Sequence, residues 1–156
     1  MNLWESRWQE DRIGFHLTEV NPYLIRFYDK LLYQNPNRVF VPLCGKTLDL
    51  CWLTKKTKKV VGVELVKKAV QDFFAENNIS TLIQQENNLL KFSSKFIDIY
   101  LGDFFKLDPE IISPFKAIYD RASIVAIDKL DRSKYVSHLK SFLEPKGRIL
   151  LVTLEY

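Results

Sequence analysis

The chain has 156 residues, of which 47% are apolar and 27% charged, so it can bury the core of one domain. Its net charge of +4 comes from scattered lysines and one cluster at Lys55, Lys56, Lys58 and Lys59, read as a helix end and turn. No basic stripe interleaved with aromatics points to nucleic acid, no apolar run approaches a membrane span, and Met-Asn-Leu-Trp-Glu-Ser-Arg is no secretory leader. Cys44 and Cys51 make neither a disulfide framework nor a zinc pattern, and the expected compartment is the reducing cytoplasm.

In chain order, residues 2–10 read as a helix with Trp4 and Trp8 on one face. A second helix spans 21–32, with Asn21 as cap, Pro22 in the first turn, and Leu24, Phe27, Tyr28 and Leu31 as its stripe. Asn35-Pro36-Asn37 is a turn. Residues 38–43 form the first core strand, 48–56 a helix, and 59–64 the second strand. The next helix presents Leu65, Ala69, Val70, Phe73 and Phe74 and ends near Asn77-Asn78. Residues 80–94 are polar and ambiguous, an insertion with a short strand at its start.

Strands follow at 96–101 and 115–119. A helix at 131–143 turns Tyr135, Val136, Leu139, Phe142 and Leu143 inward. Pro145-Lys146-Gly147 then turns into a last strand at 148–154. Alternating strands and helices predict an α/β fold: a Rossmann-like, doubly wound, mostly parallel sheet. Ligands of such sheets bind at the carboxyl ends of the strands. The segment 44–49, Glu64, Asp103 and Asp120-Arg121 all fall there.

Gly45 allows a tight turn close to a ligand. Glu64 stands 19 residues later, where a carboxylate can accept both hydroxyls of a ribose. The pair favours an adenosine-containing ligand without separating NAD from S-adenosylmethionine. The chain has no G-x-G-x-x-G to seat a pyrophosphate, and Tyr135 lacks a lysine four residues on. A phosphate-free cofactor suffers less from a glycine-poor loop. For Arg121 the competing structural role is a salt bridge to Asp120 or Glu64. His16 and His138 read as packing or surface residues, Cys44 as a small buried hydrophobe, and no metal site is expected.

The blocks W-E-S-R-W-Q-E-D-R-I-G-F-H from Trp4, V-P-L-C-G-K-T-L-D-L from Val41, V-G-V-E-L from Val61, F-F-A-E-N from Phe73, G-D-F-F from Gly102 and Y-D-R-A from Tyr119 occur in this order. Together they resemble the thiopurine S-methyltransferase family in its bacterial form. The resemblance runs to the last strand and is loose only around 80–94. It implies a class I S-adenosylmethionine-dependent methyltransferase domain over 1–156, with 1–33 as a helical lid and 38–156 as the sheet core.

The implied activity is transfer of a methyl group to the sulfur of an aromatic or heterocyclic thiol, or to selenium or tellurium species, leaving S-adenosylhomocysteine. By resemblance, Trp8 closes over the cofactor, the Leu43 backbone meets its methionine part, Gly45 lines the turn and Glu64 holds the ribose. Asp103 and Phe104 flank the adenine, Phe15 belongs to the substrate lid, and Arg121 is the catalytic residue where cofactor and substrate meet. The partner is a small-molecule thiol, and the expected state is a monomer. Family members continue past the fifth core strand, so a chain ending at Tyr156 is expected to lack the last strand pair. A cofactor-binding remnant without catalysis, self-associating through the open edge, is the alternative.

Overall fold

The computed structural model describes residues 2–86, 88–112 and 114–154. Two helices lead the chain, α1 (Leu3–Gln9) and α2 (Pro22–Leu31). Asn2 caps α1 in a reciprocal capping box with Glu5, and Asn21 caps α2 by accepting from Tyr23 N. Then come β1 (Arg38–Val41), α3 (Asp49–Leu53), β2 (Lys59–Glu64) and α4 (Lys67–Glu76). An antiparallel pair, β3 (Leu82–Glu86) and β4 (Leu89–Ser93), precedes β5 (Ile97–Leu101). The 3₁₀ turn Phe104–Lys106, α5 (Pro109–Ile112) and β6 (Phe115–Arg121) follow. The last elements are α6 (Ser123–Ala126), the 3₁₀ turn Lys129–Asp131, α7 (Arg132–Ser141) and β7 (Leu143–Val152).

The seven strands form one sheet in the order β3-β4-β5-β2-β1-β6-β7. The five strands β5, β2, β1, β6 and β7 run parallel, as the alternation predicts, and the hairpin adds two antiparallel strands outside β5. Residues alternate between two cores because successive strand side chains point to opposite faces. Val39, Val41, Val60, Ile97, Ile99, Ala117 and Tyr119 pack with α2, α3 and α4. Phe40, Val61, Val63, Tyr100 and Ile118 pack with α5 and α7. A central sheet covered on both faces explains the near-continuous apolar runs of β1 and β2.

Several expected boundaries move. β1 stops at Val41 rather than residue 43, because Leu43 takes a left-handed backbone conformation with φ +47°. Leu65 precedes α4 and is exposed, and Val136 on α7 also faces outward. The expected turn at 145–147 lies inside β7: Phe115 pairs Leu143 while Ala117 pairs Arg148, so the intervening residues bulge, with Lys146 at φ +67°. The short strand expected at the start of 80–94 is β3, and β4, which was not expected, pairs with it as a hairpin. Glu155 and Tyr156, expected next to the last strand, lie outside the described residues.

Candidate active site

The carboxyl ends of β1, β2, β5 and β6 open into a cavity of about 530 Å³, within the size range of small-molecule sites. Trp8, Phe15, Leu43, Gly45, Glu64, Asp103, Phe104 and Arg121 all line it. The fold therefore gathers around one volume the residues that the resemblance assigns to cofactor and substrate, whereas Asp120, also at a strand end, does not border it.

The β1 end is built by two left-handed residues, Leu43 at φ +47° and Gly45 at φ +54°. Between them Cys44 N donates to Val63 O at 3.1 Å, and the Cys44 side chain turns back against β2. A Cβ on Gly62 would stand 2.8 Å from Cys44 Sγ, so a glycine is required where that side chain packs. Burial pushes the Cys44 thiol well above its ordinary value.

Glu64 ends β2 and is buried. Its Oε2 accepts Gly45 N at 2.8 Å and its Oε1 accepts Val66 N at 2.9 Å. Burial raises its pKa above the ordinary 4.5, and the backbone N–H groups oppose that rise. A carboxylate can accept about four hydrogen bonds, so capacity remains on a side chain whose position is already fixed. Gly45 and Glu64 are thus joined directly by a hydrogen bond.

At the β5 end Asp103 Oδ1 caps the following 3₁₀ turn by accepting Phe105 N at 2.9 Å. The Phe104 ring borders the cavity from the core side. It packs 5.0 Å from the Tyr135 ring and 4.8 Å from the His138 ring, centroid to centroid. His138 Nε2 also lies 3.0 Å from Phe104 O, so α7 fixes this wall from behind.

At the β6 end Asp120 and Arg121 diverge, as neighbours on a strand must. Asp120 turns into the core, where it accepts Ser123 N and the Tyr135 hydroxyl. Ser123 Oγ donates to Pro42 O at 3.0 Å, which ties the ends of β6 and β1 together. Arg121 turns to the cavity. Its Nη2 donates to Phe15 O, and its buried Nη1 has no partner among the described residues. The salt bridge weighed as the competing role for Arg121 does not form with either carboxylate: Asp120 and Glu64 are both engaged elsewhere.

The N-terminal segment closes the remaining side. Trp8 is buried against Val66 and Ala69 beside the start of α4. The Phe15 ring meets both Trp4 and Trp8 edge-on at 5.8 Å. The root of this segment is pinned to the sheet through buried Asp49, which accepts Asn21 N and the Tyr119 hydroxyl, each at 2.8 Å. A Cβ on Gly45 would lie 3.4 Å from Trp8 Cζ2. Gly45→Ala therefore adds left-handed strain and crowds the lid. It is expected to cost about 1 kcal/mol, read as a lowered denaturant midpoint with unchanged slope.

His16, read from sequence as a packing or surface residue, lines the cavity, as do Lys46 of the strand-end segment 44–49 and Phe105, Ala122 and Ser123, to which no role was given. His16 was visible beside Phe15 in the first block. Ala122 was not, because it holds its left-handed turn at φ +57° with no glycine to mark it.

An open, mostly parallel sheet with a cavity at its strand ends is shared by doubly wound α/β folds, and solved structures place this one with the S-adenosylmethionine-dependent methyltransferase fold. The N-methyltransferase NodS from Bradyrhizobium japonicum WM9, solved with S-adenosylhomocysteine, superposes with a TM-score of 0.68 at 9% identity, covering 96% of this chain and 72% of that one. A SAM-dependent methyltransferase from Anabaena variabilis gives 0.67 at 18% identity, covering 97% of this chain and 61% of that one. Sequence narrows the class. The thiopurine S-methyltransferase model matches residues 1–156. Thiopurine S-methyltransferases of Pseudomonas paraeruginosa and Shewanella woodyi are 44% and 45% identical over 99% of this chain and 71% of each relative. The chain belongs to the thiopurine S-methyltransferase family and is a methyltransferase that uses S-adenosylmethionine.

Proposed function

We propose that the chain methylates the sulfur of aromatic or heterocyclic thiols, thiopurine-like in shape, with selenium or tellurium nucleophiles as further acceptors. The observation that carries this reading is the pairing of two unlike groups in one cavity: a buried carboxylate with spare acceptor capacity, Glu64, and a guanidinium, Arg121, with no ion pair and with a buried Nη1 that has no partner among the described residues. The donor set suits an adenosine cofactor without phosphates. Glu64 offers acceptors for a diol, Leu43 and Gly45 offer a tight backbone turn, and Asp103 and Phe104 border the side expected for a base. No glycine-rich cradle for a pyrophosphate is present in the first turn.

When bound, S-adenosylmethionine supplies an electrophilic methyl on a sulfonium centre, open to in-line displacement by sulfur. The residues of the chain orient and exclude. Trp8, Leu43, Gly45, Glu64, Asp103 and Phe104 hold the cofactor, with Arg121 at its reacting end. Phe15 and Arg121 hold the acceptor, and α1 keeps water out. Arg121 favours a thiolate by placing fixed positive charge beside it. We read residues 1–33 as the lid, the cytoplasm as the compartment and a monomer as the working form.

Calorimetric titration with S-adenosylhomocysteine, followed by methyl transfer to 4-nitrothiophenol, tests the reading. Stoichiometric binding and turnover are expected. Arg121→Ala should lower kcat by about 10- to 100-fold with a smaller change in product affinity. A folded chain that binds no S-adenosylhomocysteine, or binds it and methylates no thiol, would refute the proposal.

A further inference from the structure

Thiols differ in how readily they ionise. An electron-poor aromatic thiol arrives as thiolate. An alkyl thiol carries its proton at neutral pH and must lose it as the S–C bond forms.

Most titratable groups bordering the cavity are committed. Each Glu64 oxygen accepts a backbone N–H, and Asp103 caps its own turn on the β5 side, away from β6. Tyr119 donates to Asp49, and Lys46 is ion-paired to Glu76 at 2.7 Å. The Arg7 guanidinium lies over the Trp4 ring, and Cys44 is buried as a neutral thiol. A guanidinium such as Arg121 offers donors and no acceptor.

His16 differs from all of these. It lines the cavity directly after Phe15, whose carbonyl Arg121 holds, so its turn is fixed to the β6 end. Its backbone N–H bonds Ile13 O, and among the described residues its imidazole makes no hydrogen bond or ion pair. Burial, then the cations Lys46 and Arg121, hold the imidazole below its ordinary 6.5, while Glu76 and Asp49 pull the other way. The ring is therefore a free base at neutral pH, beside the group read as meeting the acceptor.

We propose that His16 is the proton acceptor for thiols that enter the cavity protonated, and that it extends the acceptor range to alkyl thiols. This inference rests on the thiol-methylation reading above. The S–H proton passes to an imidazole nitrogen. The electron pair left on sulfur forms the bond to the methyl carbon, and the pair of the broken C–S⁺ bond stays with the departing thioether. The imidazolium then returns its proton to solvent.

The test compares wild type with His16→Gln on benzyl mercaptan, an alkyl thiol, and 4-nitrothiophenol, already a thiolate at pH near 7. The loss in kcat with benzyl mercaptan should exceed that with 4-nitrothiophenol by about tenfold or more, and the gap should close as pH rises and the alkyl thiol ionises. In parallel, NMR titration of the His16 ring in wild type with S-adenosylhomocysteine should find it neutral at pH near 7. Equal losses with the two thiols, no loss with either, wild-type turnover of 4-nitrothiophenol alone, or a protonated ring would each overturn the inference while leaving thiol methylation intact. Turnover of neither thiol would remove both.

Discussion

Glu64→Ala is expected to weaken S-adenosylhomocysteine binding by about 100-fold or more, the loss of two charge-assisted hydrogen bonds under the ribose role proposed for Glu64. The expectation is large because the carboxylate is buried and its anchors, Gly45 N and Val66 N, hold it still before any ligand arrives. Preorganised acceptors contribute more to affinity than mobile ones. The same substitution strands both N–H groups and loosens the turn against Trp8. Glu64→Gln separates the two effects. Its amide keeps one acceptor oxygen but turns an NH₂ toward one backbone N–H, so an intermediate loss is expected.

Acidification should imitate the variant. Burial holds Glu64 above 4.5, so its ionised form disappears at a higher pH than for an ordinary glutamate. Affinity should therefore start to fall above that value as pH drops, and the Gln variant should not share this limb. Calorimetry across pH reads both results. Equal affinity in wild type and Glu64→Ala would discard the ribose assignment.

Where burial on both faces gives a strand a continuous apolar run, the sequence reading was sharp: β2 occupies 59–64 as expected. β3 had no such signal. Leu82, Ile83, Gln84 and Gln85 are all exposed, so neither face alternates. β4 buries Leu89 and Phe92 in opposite cores, and its partner β5 could not be named from residues 80–94 alone. Tight turns made without glycine were equally silent, at Leu43 and at Ala122, and both border the cavity.

Four of the six blocks were enough to nominate the cavity wall, because they fall at strand ends, and the Trp4 block supplied its N-terminal side. They could not say which neighbours pair. Asp120 stands next to Arg121 in sequence and was the natural ion-pair partner. Strand geometry sends the two to opposite faces, and that single alternation leaves the guanidinium in the cavity with no carboxylate partner among the described residues.

The buried carboxylate on the other side of that alternation carries the second large effect. Asp120 is fully buried, accepting Ser123 N at 2.8 Å and the Tyr135 hydroxyl at 2.5 Å. Tyr135 and Ser123 are themselves buried, so Asp120→Ala leaves two donors without partners where no water reaches. Each stranded donor costs about 1–3 kcal/mol. The variant should lose about 3 kcal/mol in total, or about 10 °C in Tm for a chain of this size. Arg121 adjoins Asp120, so the activity of the folded fraction should fall as well.

Asp120→Asn should behave differently. The amide oxygen can still accept Ser123 N, and the hydroxyl of Tyr135 can rotate to accept from the amide. Burial outweighs the hydrogen bonds and raises the folded pKa of Asp120 above 3.8. The folded chain thus binds more protons than the unfolded one between the two values. The contribution of Asp120 is fully present below 3.8 and is lost as pH rises through the folded value. A permanently neutral asparagine escapes that loss and should gain on wild type as pH rises through this window. Denaturant melts of wild type and both variants at acid and neutral pH decide it. An alanine variant as stable as wild type, or an asparagine variant as damaged as alanine at neutral pH, would mean that Asp120 does not hold the end of β6.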